Sequence, residues 1–252
     1  MSKSHIVTFH KCASNWFRRL YRAAADANGA NIEVSKPNSA AINTPINRGS
    51  AKTLALYRTE SPNHVLPKVN EGEPIILGIR DPKDVLISQY WSWKQTHKNN
   101  SAQILESRER LNRLSVKEGL LMLVEEESLP YCSAVKSWLP LIESEVLLLL
   151  KYEDLIGNFQ KSMMHSLEFA ELKISDRELH RLHEAYSFRS ITKREPGLEN
   201  TSSHYRKGVP GDWKNYFDED LAGIFIEKYG DVCTSLGYEL PTSAVRGQEY
   251  EP

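Results

Sequence analysis

Apolar residues fall into four short runs separated by stretches of helical spacing. HIVTF (5–9), TLALY (53–57), PIILGI (74–79) and VLLLL (146–150) are almost continuously apolar, as strands covered on both faces of a parallel sheet should be. Between them, WFRRLYRAAADA (16–27) repeats its apolar positions at helical intervals. RDPKDVLISQYWSWKQ (80–95) opens on Asp81 and Pro82, a cap and an early helical proline. Strands alternating with helices predict an α/β domain, a three-layer sandwich with a central, mainly parallel β-sheet.

The remaining segments fill in this plan. Residues 28–51 are rich in Asn, Ser, Pro and Gly and read as loop, with one short strand at 32–34. RTESPNHVLP (58–67) cannot be regular across its two prolines. The polar stretch 97–113 is either an insertion acting as a lid or a solvated helix, and helical spacing resumes at 116–124. Further helices are expected over 133–142, 159–170, 176–186 and 218–236, with a polar loop from Pro196 to Asp212. This gives one domain over 1–240, carrying a polar insertion or lid at 97–116, and a loose tail over 241–252.

Charge and cysteine content narrow the function classes. The 32 Lys and Arg residues balance 33 Asp and Glu, so no global field draws the chain to nucleic acid, and any anion site has to be built locally. Cys12, Cys132 and Cys233 are too far apart for a disulfide framework or a cysteine zinc site, which fits a reducing cytoplasm. MSKSHIVTF has no long apolar core of a signal peptide, and Val146–Leu150 is far too short to span a bilayer, so no membrane association is expected. Oligomeric state is not legible.

The first strand leads through HKCASNW (10–16) into the first helix. Such a P-loop-like strand-turn-helix unit points the amides of the first helical turn, the positive end of the helix dipole and Lys11 at one place, with Cys12, Ser14 and Asn15 beside it. Three anions can be considered. A nucleoside triphosphate held by a Walker loop is excluded, because GxxxxGK[ST] needs glycines that this turn lacks. A phosphatase is suggested by the Cys-x5-Arg spacing of Cys12 and Arg18, although the turn has no glycine with which to wrap a phosphate.

The third reading takes the chain as a whole. HKCASNW resembles the PKSGTTW loop of the cytosolic-type sulfotransferases that use 3′-phosphoadenosine 5′-phosphosulfate (PAPS). RDPKDVLIS resembles that family's 3′-phosphate motif, with Arg80 and Ser88 eight residues apart, and RKGVPGDWKNYF resembles its RKGxxGDWKxxF signature. KYEDL and YSFRSITKREP are smaller matches in the same order. The resemblance implies a sulfotransferase that moves the sulfuryl group of PAPS to a hydroxyl, or an amine, of a small-molecule acceptor by in-line displacement. The product is 3′,5′-ADP (PAP), and no metal is implied. It also implies that Lys11, Cys12, Ser14 and Asn15 hold the phosphosulfate, with Lys11 stabilising the leaving group. Trp16 and Phe188 would then sandwich the adenine, with Tyr152 and Ser187 nearby, and Arg80, Ser88, Arg206, Lys207 and Gly208 would take the 3′-phosphate.

The chain departs from the family where the base is expected. The family's KTHxP segment reads RTESP here, placing Glu60 at the histidine and Arg58 at the lysine, with His64 four residues on as the rival base. That replacement also keeps open a non-catalytic PAP- or PAPS-binding relative. His180, His183 and Glu184 could line one helical face as metal ligands but lack a third strong ligand and the HExxH order, so a solvated helix is expected. Tyr90, Trp91 and Trp93 either line the acceptor pocket or pack in the core.

Overall fold

The computed structural model describes residues 2–35, 43–58, 61–98, 101–126 and 129–241. Among these, six strands form one sheet: β1 (Ser2–Thr8), β2 (Asn31–Ser35), β3 (Asn43–Ile46), β4 (Lys52–Arg58), β5 (Ile75–Ile79) and β6 (Leu147–Lys151). Their spatial order is β3-β2-β4-β1-β5-β6. Every pairing is parallel except β2 with β3, so the mainly parallel α/β sheet expected from the apolar runs is present. The four expected strands are the middle of this sheet and its β6 edge. β2 had only a brief apolar hint, and β3 (NTPI) had none, because an antiparallel edge strand needs no continuous apolar run.

Ten helices accompany the sheet among the described residues: α1 (Ser14–Ala27), α2 (Pro82–Trp91), α3 (Ala102–Arg113), α4 (Val116–Glu125), α5 (Pro130–Lys136), α6 (Tyr152–Gly157), α7 (Phe159–Phe169), α8 (Asp176–Tyr186), α9 (Phe188–Thr192) and α10 (Glu219–Ser235). The chain divides into two compact units, Met1–Arg80 with Ser133–Glu195, and Asp81–Cys132 with Pro196–Pro252.

The first unit holds the whole sheet. α1 buries Trp16, Phe17, Leu20, Tyr21, Ala24 and Ala25, the stripe that its sequence spacing marks out. That stripe packs with Ile6, Ile32, Leu54, Leu56, Ile76 and Leu150 of the sheet and with Phe159, Met163 and Leu167 of α7. Strand alternation sends Val7, Ala55, Tyr57 and Leu77 to the opposite face, where they too are buried. Gly78 of β5 has to be small, because a Cβ there would lie 3.0 Å from the ring of Phe17 and 3.2 Å from the methyl of Thr8.

The second unit is built on helices. Asp81 caps α2 by accepting from the Lys83 amide, and Pro82 begins the helix, as the sequence indicates. α2 continues into a π-helical turn at Ser92–Thr96. The polar stretch at 97–113 is largely the helix α3, capped by Ser101, which buries Ile104, Ser107 and Leu111 along one face. α2, α4 and α10 pack on one another. Lys83 is fully buried: its ammonium donates to the Glu239 carbonyl at 2.5 Å, pairs with Asp81 at 3.1 Å and lies 4.6 Å from the centre of the Trp213 ring. Burial raises the Asp81 carboxyl to about 6 even with Lys83 beside it.

Candidate nucleotide site

The turn that opens α1 is built at the carboxyl edge of the sheet. β1 ends at Thr8, whose hydroxyl donates to the Tyr57 carbonyl at 3.1 Å, and the Cys12 amide closes the turn onto the Phe9 carbonyl at 3.3 Å. Lys11 (φ 67°) and Ala13 (φ 54°) both take the left-handed conformation. Non-glycine residues held there cost on the order of 1–3 kcal/mol each, so the rest of the fold enforces this backbone. The expected turn between strand and helix is thus present without a glycine, its left-handed positions being taken by Lys11 and Ala13. Ala13 is the cap of α1 and offers no side-chain acceptor; its carbonyl takes the Trp16 and Phe17 amides at 2.8 and 3.1 Å, and the start of this 14-residue helix is a place where negative charge is favoured.

Cys12 is completely buried. A nucleophilic thiol has to be reachable as a thiolate, so this burial counts against the phosphatase reading with Arg18. Ser14 is buried, Lys11 half-buried and Asn15 exposed at the start of the helix.

Arg80, directly after β5, reaches the same turn. One guanidinium nitrogen donates to the Lys11 carbonyl at 3.4 Å, and the guanidinium carbon lies 4.9 Å from the centre of the Tyr152 ring. Tyr152 meets Trp16 edge-on, with ring centres 5.9 Å apart. The Trp16 indole donates to the Tyr186 carbonyl at 2.8 Å, tying α1 to the end of α8 just before Ser187 and Phe188. Ser187 caps α9, and the Arg194 guanidinium lies 5.1 Å from the Phe188 ring. The first unit thus brings Lys11, Trp16, Arg80 and Tyr152 together, with Ser187 and Phe188 next along the chain from Tyr186. His183 stacks on Phe159 with ring centres 4.2 Å apart, a packing role, and His180 lies 3.4 Å from Glu184.

In the second unit the RKG loop is held by two carboxylates. Asp84, on the first turn of α2, accepts from the amides of Gly211 at 2.8 Å and Trp213 at 3.0 Å. Asp212, with a side chain only 1% exposed, accepts from Arg206, Lys207 and the Asn215 side-chain Nδ2. Arg206 also pairs with Glu199. Burial works against both charges, but the Arg206–Asp212 attraction holds Arg206 above and Asp212 below their ordinary values. Gly208 (φ 72°) supplies a left-handed position in the loop. Ser88 is half-buried on α2. Trp91 donates to the Tyr216 hydroxyl at 3.2 Å, and Tyr90, fully buried, accepts from Lys94 at 3.0 Å. Asp84 and Asp212 sit inside the matched sequence segments, yet nothing in the sequence reading gave them a part. The available signal was an acidic residue in the midst of a basic stretch.

Of the residues named for the expected base region, Arg58 ends β4 and is paired in register with Thr8, at the entrance to the Lys11 turn. Glu60 lies outside the described residues. His64 is exposed in a short 3-10 turn, Pro62–His64, capped by Ser61.

A mainly parallel sheet with a strand-turn-helix unit at its carboxyl edge defines an α/β class of protein with a candidate anion site at that edge. Within that class the chain belongs to the sulfotransferase-domain family, whose profile matches residues 2–237. It is 25% identical over 259 residues to Sulfotransferase 2A1 of Homo sapiens, covering 92% of this chain and 85% of that protein. It is 24% identical over 242 residues to 3-alpha-hydroxysteroid sulfotransferase of Cavia porcellus, covering 88% and 80%. Among solved structures, the fold is similar to that of mouse sulfotransferase SULT7A1 complexed with PAP, with a TM-score of 0.66 at 18% identity over 93% of this chain and 87% of that one. Among the described residues no helix is long and apolar enough to cross a membrane.

Proposed function

We propose that the protein is a PAPS-dependent sulfotransferase acting on a hydroxyl, or an amine, of a small molecule in the cytoplasm and releasing 3′,5′-ADP. The observation that carries this reading is the Lys11 turn. It has an uncapped helix start, two enforced left-handed residues, and an arginine and two aromatic rings gathered beside it.

When bound, PAPS supplies an activated sulfuryl group and a phosphate leaving group. Lys11 and the amides at the start of α1 offset negative charge as it grows on the leaving oxygen. Ser14 and Asn15 hold the same end of the nucleotide, Trp16 and Phe188 take the adenine with Tyr152 and Ser187 nearby, and Arg80, Ser88, Arg206, Lys207 and Gly208 serve the 3′-phosphate. Arginine suits that dianion because its planar fork bonds two oxygens at once. Asp212 and Asp84 position the loop that carries Arg206. Glu60 is the proposed base, with Arg58 beside it and His64 as the rival. A carboxylate with an ordinary value of roughly 4.3 has to be raised by burial to serve well near neutrality.

The name of the Cavia porcellus relative, a hydroxysteroid sulfotransferase, supports a hydroxyl acceptor. The test is an acceptor screen with radiolabelled PAPS over phenols, sterols, aliphatic alcohols and amines. Labelled product with matching release of 3′,5′-ADP is the expected result. Tight 3′,5′-ADP binding with no transfer to any class would assign the chain to the non-catalytic alternative.

A further inference from the structure

Three guanidiniums gather on one side of the first unit, and among the described residues no acid pairs with them. Arg18 and Arg22 are one turn apart on α1 and share a helix face. Arg58 ends β4, and Leu54 and Leu56 of that strand belong to the cluster packed with Phe17, Leu20 and Tyr21. Alternation along the strand therefore places Arg58 on the α1 side of the sheet, and α1 packs on β2 and β4. Arg18 is half-buried, and its pKa is lowered first by burial and then by the charges of Arg58 and Arg22.

Lys3, Arg48 and Lys52 of this unit pair with the acids Glu33, Asp26 and Glu171. Among the described residues, no carboxylate lies within ion-pair distance of Arg18, Arg22 or Arg58. Half-burying a cation next to two others costs both desolvation and repulsion, and a bound anion relieves both.

We infer that Arg18, Arg22 and Arg58 form an anion subsite for the acceptor, so that the preferred acceptor is a hydroxyl compound bearing an anionic group such as a carboxylate. This rests on the sulfotransferase reading. The two anionic groups of the donor are already assigned, one to the Lys11 turn and one to the residues serving the 3′-phosphate, so a third cationic site has no nucleotide group to fill it. Its position suits the acceptor, since Arg58 is registered with Thr8 at the entrance to the Lys11 turn and lies two residues before Glu60.

The test compares matched hydroxy-carboxylates and their primary carboxamides on phenol, aliphatic and sterol skeletons. Transfer kinetics are measured together with calorimetric binding of each compound, with and without saturating 3′,5′-ADP. The wild type is expected to favour the carboxylate at least tenfold, in KM or in affinity. Arg22→Gln, an exposed position, should reduce that preference, and Arg18→Gln/Arg22→Gln should abolish it, with carboxamide KM, kcat and 3′,5′-ADP affinity unchanged. Equal treatment of acid and amide by the wild type, or a preference that survives in the double variant, overturns the subsite. So does a weakened 3′,5′-ADP affinity in Arg22→Gln, which would assign the arginines to the donor. Failure of the wild type to bind 3′,5′-ADP, seen in the same titrations, is instead a failure of the sulfotransferase reading.

Discussion

The guanidinium of Arg80 lies over the ring of Tyr152, 4.9 Å from its centre, while it also donates to the carbonyl of Lys11. One side chain thus couples the end of β5, the turn before α1 and the start of α6. A cation-π contact of this kind is worth about 1 kcal/mol. Tyr152→Leu should therefore weaken 3′,5′-ADP binding roughly fivefold while leaving the fold intact, as calorimetric titration and thermal melting would show. Unchanged affinity would remove Tyr152 from the nucleotide site.

Arg206 and Asp212 make a testable pair in the second unit. Arg206→Ala should weaken 3′,5′-ADP binding by roughly 10- to 100-fold, the loss of one strong charge-assisted contact. Asp212→Asn should act mainly on stability. It leaves Arg206 and Lys207 without their shared buried counter-charge, at a cost of about 3 kcal/mol. Urea unfolding of the two variants separates these effects, and equal stability losses would contradict the assignment.

The extent to which this arrangement is legible in the sequence depends on what each residue faces. β1, β4, β5 and β6 were readable because strands covered on both faces need unbroken apolar runs. β3 was not, since an edge strand needs none, and α3 was ambiguous because Ile104, Ser107 and Leu111 are its only buried residues amid charges. The Lys11 turn and the Arg80 helix start were legible from local order alone. Lys83 reads as a surface lysine, and only the tertiary placement of Asp81, Trp213 and the Glu239 carbonyl makes it a core residue. Asp212 was hidden for the same reason, because its importance lies in contacts that spacing does not encode.

Acid should loosen the first unit through His5 and Glu73. His5, fully buried in β1, lies 2.9 Å from a Glu73 oxygen and 3.2 Å from the Tyr57 hydroxyl. Burial lowers the His5 pKa from 6.5, with Glu73 only partly opposing it. Glu73 is held down to about 2: burial alone would raise it, but hydrogen bonds from Asn70 and His5 outweigh that. Below pH 6.5 the unfolded chain protonates His5 more readily than the folded one, and below 4.5 it does the same at Glu73, so stability falls with pH in both windows. The urea midpoint should drop steadily from pH 7 towards acid. Glu73→Gln should flatten the part below 4.5 and His5→Asn the part below 6.5, whereas parallel curves for wild type and variants would contradict this account.

The base and the thiol give opposed expectations. Glu60→Gln should abolish turnover with PAPS binding intact, while His64→Gln should keep most of it; the reverse pattern would move the role to His64. Cys12→Ser should retain transfer within about threefold and lose about 1–2 kcal/mol of stability, because it puts a hydroxyl in a fully buried place. Loss of all activity in that variant, with the nucleotide still bound, would revive the thiol as nucleophile.

The most direct test compares wild type and Lys11→Met for sulfuryl transfer from PAPS and for 3′,5′-ADP affinity, on the same preparations and with an acceptor found in the screen. If Lys11 acts on the leaving group, transfer should fall on the order of 100-fold or more while 3′,5′-ADP affinity changes less than tenfold. Transfer at near wild-type rate in Lys11→Met would contradict the account.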